Sequence, residues 1–127
     1  MRSFLNLLAK INKKEYSPFY LLSGNEPFFI DRICDSLIEN LVHETSRDFD
    51  YSQFYGKESK ASDIIETARR YPMLSKFNVI VIKEAQFMNN IEFDALALYA
   101  KNPMMQSIVV FCYKGKAFDK RKKLYKE

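Results

Sequence analysis

A chain of 127 residues with 47% hydrophobic and 28% charged content can build one domain with a real core, and its few Gly (3) and Pro (4) exclude collagenous or low-complexity structure. No apolar run approaches the roughly 18 residues that cross a bilayer, and the amphipathic start "MRSFLNLLAKINKKEY" lacks a small-residue cleavage site, so neither a membrane span nor a signal peptide is expected. The net charge of +4 is uneven: residues 114–127, "KGKAFDKRKKLYKE", carry seven Lys or Arg against Asp119 and Glu127, a net of +5 that leaves the rest of the chain at −1.

Ser3 to Lys13 places Phe4, Leu7, Leu8 and Ile11 at helical spacing. Phe19 to Leu22, after Pro18, predicts a short buried strand. Gly24-Asn25-Glu26-Pro27 breaks it. Asn25 suits the cap, and Pro27 the first turn, of a helix to about Val42 that buries Ile30, Ile33, Leu37 and Leu41. "DYSQFY", Asp50 to Tyr55, alternates Tyr51, Gln53 and Tyr55 against Ser52 and Phe54, and Gly56 ends it. Ser59 or Ser62 is the expected cap of a helix through Arg70, with Ile64, Ile65 and Ala68 inward; Pro72 stops it. "NVIVI", Asn78 to Ile82, and "SIVVFCY", Ser107 to Tyr113, suit strands covered on both faces, with a helix from about Asn90 to Lys101 between them. Lys116 or Asp119 opens a last basic helix, uncapped at Glu127, so residues 1–127 are expected to form the first domain of a longer protein. Strands alternating with helices predict an α/β fold, a parallel sheet flanked by helices on both faces, with its functional edge at the carboxyl ends of the strands.

"FYLLSGNEPFFIDRI", Phe19 to Ile33, has the strand, glycine turn and helix of a phosphate loop. A working loop reads G-x-x-x-x-G-K-[ST]: glycines expose backbone N–H groups, the lysine neutralises charge and the hydroxyl holds magnesium. Here Gly24 stands alone, Glu26 brings negative charge, Pro27 deletes a donor, and Phe28 and Phe29 are bulky. The strand "NVIVI" ends in Lys83 and Glu84, with lysine where an acidic magnesium support belongs. Both halves of the chemistry are missing together, so Gly24, Asn25, Glu26 and Pro27 read as a degenerate phosphate loop that needs no cofactor.

Other catalytic patterns are absent. His43 is the one histidine and suits a surface or capping role. No His/Cys cluster has metal spacing, and no nucleophile elbow appears. The pairs Asp48/Asp50 and Glu92/Asp94 read as solvated turn or helix faces. Cys34 and Cys112, far apart in apolar settings, read as reduced, buried thiols of a cytoplasmic protein. The sequence argues against an enzyme.

"RRYPMLSKF", Arg69 to Phe77, is more informative. Tyr71, Pro72, Met73, Leu74 and Phe77 cluster where a helix-to-strand connection should be polar. Two readings follow: these side chains tuck back over the core, or they protrude as a plug for a partner's pocket, rimmed by Arg69, Arg70 and Lys76.

Together "YLLSGNEPFFIDRI", "ARRYPMLSKFNVIVIKEAQ" and "VVFCYKGKAFDKRKKLYK" resemble the N-terminal domain of the delta subunit of the bacterial DNA polymerase III clamp loader. The likeness runs from about Tyr16 to the end, and the order and spacing of the three stretches carry it. It implies a P-loop NTPase (AAA+)-like fold with a degenerate nucleotide site, in a cytoplasmic DNA replication protein. It implies binding and opening of the sliding clamp (the beta subunit), with Met73 and Leu74 entering a hydrophobic pocket beside Pro72 and Arg70. The family often has Leu-Phe or Phe-Phe at the two plug positions. Other loader subunits would join through a helical domain beyond Glu127. No catalysis is implied for this domain, although the assembly belongs to a DNA-directed DNA polymerase holoenzyme. Contact with DNA is expected to be weak or indirect, through Lys120, Arg121, Lys122 and Lys123. Two alternatives stand beside this: a small nucleotide-binding domain with unorthodox phosphate contacts, and a basic nucleic-acid-binding module built on Lys120 to Lys126. A single aromatic residue, Tyr125, lies within that run, and aromatics are not interleaved with the charge as a stacking platform requires.

Overall fold

The two continuously apolar runs occupy the middle of a parallel four-stranded sheet. The computed structural model describes residues 9–11, 13, 16–24, 27–42 and 47–114. Its strands are β1 (Phe19–Gly24), β2 (Tyr51–Tyr55), β3 (Asn78–Lys83) and β4 (Ser107–Lys114), in spatial order β1-β4-β3-β2. Central β3 and β4 pair in parallel, Val79 beside Ile108 and Val81 beside Val110. Strands covered on both faces need apolar side chains at every position, and both runs are buried from their first residue through Ile82 and Tyr113.

Side-chain alternation splits the core into two layers. Helix α1 (Pro27–Leu41) lays Ile30, Ile33, Cys34, Leu37 and Leu41 on Val79, Val81, Ile108, Val110 and Cys112, with Ile11 joining the same layer. Opposite, α3 (Ala61–Ala68) and α4 (Asn90–Lys101) bring Ile64, Phe93 and Leu96 onto Ile80, Ile82, Val109 and Phe111. Burying each large apolar side chain contributes about 1.5–3 kcal/mol, so these layers dominate the stability of the fold.

Several local expectations are corrected. Asp50 closes a single helical turn, α2 (Arg47–Asp50), and does not open the strand. Helix α3 ends at Ala68, with Arg69 as its C-cap, so Arg70 lies in the connection. Neither Ser59 nor Ser62 caps α3: Lys60 holds the N-cap position without a side-chain bond. The Glu92 carboxylate supplies the cap from another helix, accepting the Ala61 N–H at 2.6 Å. Glu92 also sits in the first turn of α4, whose cap, Asn89, accepts the Glu92 N–H at 3.1 Å. One carboxylate thus serves two positive helix ends, and the reading of Glu92 as merely solvated fails.

Cys34 and Cys112, 78 positions apart in sequence, lie in the same layer as neighbouring free, buried thiols. The hydrogen bond with Cys34, followed by burial, pushes the Cys112 thiol up. Among the described residues no helix is long and apolar enough to cross a membrane. The expected N-terminal helix is described only around Ala9–Ile11; Asn25, Glu26, His43 and the basic segment with Lys116, Asp119, Lys120, Arg121, Lys122 and Lys123 lie outside the described residues.

Candidate functional site

The parallel sheet has two ends, and the chain treats them differently. At the carboxyl end, Gly24 closes β1 in register with Lys114 of β4, and Pro27 opens α1. This is where the phosphate of a working site would lie. The Lys114 ammonium instead meets protein carboxylates there: Nζ is 2.9 Å from Asp31 Oδ1 and 3.6 Å from Glu84 Oε2. The Asp31 hydrogen bond is the main cause of a raised Lys114 pKa, partial burial opposes it, and Glu84 adds to the rise. Gln86 completes the arrangement, donating to Glu84 Oε1 at 2.7 Å and accepting the Lys114 backbone N–H at 3.0 Å.

Glu84 itself is the one described non-glycine residue with positive φ, at 53°. Its carbonyl approaches so closely that a Cβ on Gly56 would lie 2.4 Å from it. Gly56 also donates its N–H to Lys83 O at 2.9 Å. Glycine is therefore required at that position by close backbone approach, beyond its reading as a strand terminator.

The apolar connection singled out in the sequence lies at the other end of the sheet, the amino end, just before β3. The connection from α3 to β3 leaves Tyr71, Met73 and Leu74 exposed at 72%, 71% and 62%. Of the two readings of this cluster, protrusion describes these three side chains. Phe77 turns inward to stack edge-on against Tyr16 at 5.7 Å, and Pro72 is half-buried. Arg69, Arg70 and Lys76 are exposed around them, and Arg70 lies 3.7 Å from Glu66 one helical turn away.

Beneath the exposed side chains the backbone is tightly held. Asp50, only 2% exposed, accepts the Met73 N–H at 2.6 Å through Oδ1, and the Leu74 and Ser75 N–H groups at 2.7 and 2.6 Å through Oδ2. Three successive N–H groups around one anion form a nest. Burial alone would raise the Asp50 pKa; the three backbone donors and the Ser75 hydroxyl outweigh it and bring it below the ordinary carboxylate value. Asn78, the first residue of β3, donates Nδ2 to Thr67 O at 2.9 Å and Arg70 O at 3.3 Å. Ser107, the first residue of β4, donates its hydroxyl to Ala68 O.

The reading of Asp50 as a solvated acid is thus wrong, and the sequence offered little to correct it, because its partners lie 23 to 25 positions away. Phe49, the residue before Asp50, is 56% exposed at the same end of the sheet, and no spacing in the sequence marks it.

The family model described as DNA polymerase III, delta subunit, matches residues 20–127. The DNA polymerase III subunit delta of Bacillus subtilis (strain 168) is 25% identical over 124 residues, covering 91% of this chain and 36% of that protein. The solved Bacillus subtilis DNA clamp loader delta protein superposes with a TM-score of 0.79 at 19% identity, over 96% of this chain and 39% of that one. A DNA polymerase III gamma subunit-related protein of Thermotoga maritima superposes with a TM-score of 0.65 at 14% identity, over 87% and 39%. The chain spans little more than a third of the length of these relatives. The structural likenesses show the fold, the α/β architecture of a parallel sheet flanked by helices expected from the sequence. With the family model matching everything after Phe19, the chain belongs to the DNA polymerase III delta subunit family.

Proposed function

We propose that this chain is the clamp-binding part of a clamp-loader delta subunit, and that it acts by binding, with no bond chemistry of its own. Met73 and Leu74 enter an apolar pocket on the sliding clamp, the beta subunit, with Tyr71 beside them and Arg69, Arg70 and Lys76 at the polar rim. The observation that carries this is the exposed Met73–Leu74 pair on a backbone fixed from below. Apolar side chains grouped on an exposed loop, unlike singly exposed ones, mark a surface that meets a partner. Burying two large apolar side chains yields roughly 3–6 kcal/mol before ordering losses.

Ring opening then follows from differential affinity. A ligand shifts an equilibrium only by as much as it prefers one state. The end of α3 and its loop fit the open clamp interface better than the closed one, and binding holds that interface open for loading onto primed DNA. Other loader subunits, joined through segments outside this chain, supply the ATP-driven switch in the cytoplasm. DNA contact by this part is weak or indirect.

A pull-down of this chain with the sliding clamp of its own organism tests the reading: retention of the clamp supports it, and failure to retain it opposes it. The nucleotide-binding alternative is disfavoured by the Lys114 ammonium, which is already matched by Asp31 and Glu84. Calorimetric titration with ATP-magnesium separates the two, since micromolar affinity would favour that alternative.

A further inference from the structure

Four polar or charged side chains are buried among the described residues: Ser36, Asp50, Asn78 and Ser107. Three of them, Asp50, Asn78 and Ser107, hydrogen-bond the backbone around the end of α3 and its connection to β3. Burying a polar group is costly unless it is fully partnered, so such groups are few and sit where a backbone must be fixed. A connection that only had to span from helix to strand would not need this support. A connection fixed for the sake of the core would turn Met73 and Leu74 inward. Here the backbone is fixed and the apolar side chains remain outside, at 71% and 62% exposure.

Asp50 produces this arrangement. Its carboxylate gathers the N–H groups of Met73, Leu74 and Ser75 on the inner side of the loop, at 2.6 to 2.7 Å. We propose that Asp50 is a positioning residue that sets the Met73–Leu74 pair in its docking conformation before the partner arrives. The inference rests on the reading of that pair as the clamp-binding plug. A free loop would lose backbone freedom at three consecutive residues on binding, whereas a loop ordered during folding arrives with that loss already taken. Asp50 makes no contact with the clamp and acts only through the loop.

The test compares the full chain with Asp50→Asn, Ser75→Ala and the double variant M73A/L74A, each titrated against the purified sliding clamp. Asparagine keeps the shape of Asp50 but removes the charge and places an amide donor where an acceptor stood. Affinity is expected to fall about tenfold or more in Asp50→Asn, mostly through a slower arrival of bound complexes. Ser75→Ala removes only the hydroxyl that bonds Asp50, and about a threefold loss is expected because one weaker bond is gone. Amide exchange at Met73, Leu74 and Ser75 should accelerate in both variants while exchange in β3 and β4 stays slow, which a general loss of structure would not produce. If Asp50→Asn unfolds the chain, Ser75→Ala carries the comparison alone. Full loss in M73A/L74A with wild-type affinity and protection in the Asp50 and Ser75 variants overturns this inference and leaves the plug standing. Wild-type affinity in M73A/L74A overturns the plug and this inference with it.

Discussion

Asp50 and Leu74 are 24 positions apart in sequence, yet Asp50 Oδ2 accepts the Leu74 N–H at 2.7 Å while the Leu74 side chain is 62% exposed. Backbone and side chain of one residue thus face opposite directions, one bound into the fold and the other turned to solvent. The stability of this corner and its binding capacity can therefore be measured separately.

Asp50→Asn is expected to lower stability by about 1–3 kcal/mol at neutral pH, because buried N–H groups lose a charged acceptor. The folded Asp50 pKa lies below its ordinary value of 3.8. A carboxylate so lowered adds stability above its unfolded pKa and loses that stability as pH falls through its folded pKa. The gap between wild type and variant in urea denaturation should be full at neutral pH and should narrow as pH drops below the ordinary carboxylate value. A gap that widens on acidification contradicts the assigned hydrogen bonds.

Lys114→Met removes the cation between Asp31 and Glu84. Both carboxylates are substantially solvated, with side-chain exposures of 51% and 38%, so screening limits the loss to about 1 kcal/mol or less. The folded Lys114 pKa lies above 10.5. Its contribution is complete below the unfolded value and disappears as pH rises through the folded one. Thermal melts should therefore show wild type losing its small advantage over the variant only in strong alkali.

Gly56→Ala drives a methyl carbon against the Glu84 carbonyl, at 2.4 Å before any relaxation. Overpacking against backbone costs about 1–3 kcal/mol. Chemical denaturation should show that loss, and clamp affinity should be unchanged because the clash lies at the opposite end of the sheet from Met73. Equal stability would mean that the 84–85 backbone yields easily.

Cys34 and Cys112 are each 1% exposed. Reaction needs an accessible thiolate, and the raised Cys112 pKa disfavours one. A thiol reagent at mildly alkaline pH should label neither cysteine in the folded chain and both in denaturant. Rapid native labelling would contradict the packed α1–β4 layer.

The sheet was legible because its central strands carry unbroken apolar runs, Val79 to Ile82 and Ile108 to Tyr113, that suit only strands covered on both faces. Pro27 marked the start of α1 for a local reason, since a helix needs no N–H in its first turn. The apolar loop at Tyr71 to Leu74 stood out because composition conflicts with location. What stayed hidden depends on contacts remote in sequence. Nothing in "DYSQFY" indicates that Asp50 faces Met73, Leu74 and Ser75. Nothing near Ala61 indicates a cap from Glu92, 31 positions later. The rule for carboxyl ends concerns ligand crevices, and a loop proposed to bind a protein is not bound by it.

The most direct measurement is the affinity of M73A/L74A for the sliding clamp, determined beside its thermal stability. Two exposed side chains contribute little to the fold, so the melting temperature should stay within a few degrees of wild type. Losing roughly 3–6 kcal/mol of apolar burial at the interface should weaken binding by at least about a hundredfold. Clamp affinity equal to that of wild type, in a variant that melts normally, would show that the oily corner beside Pro72 is not what grips the ring.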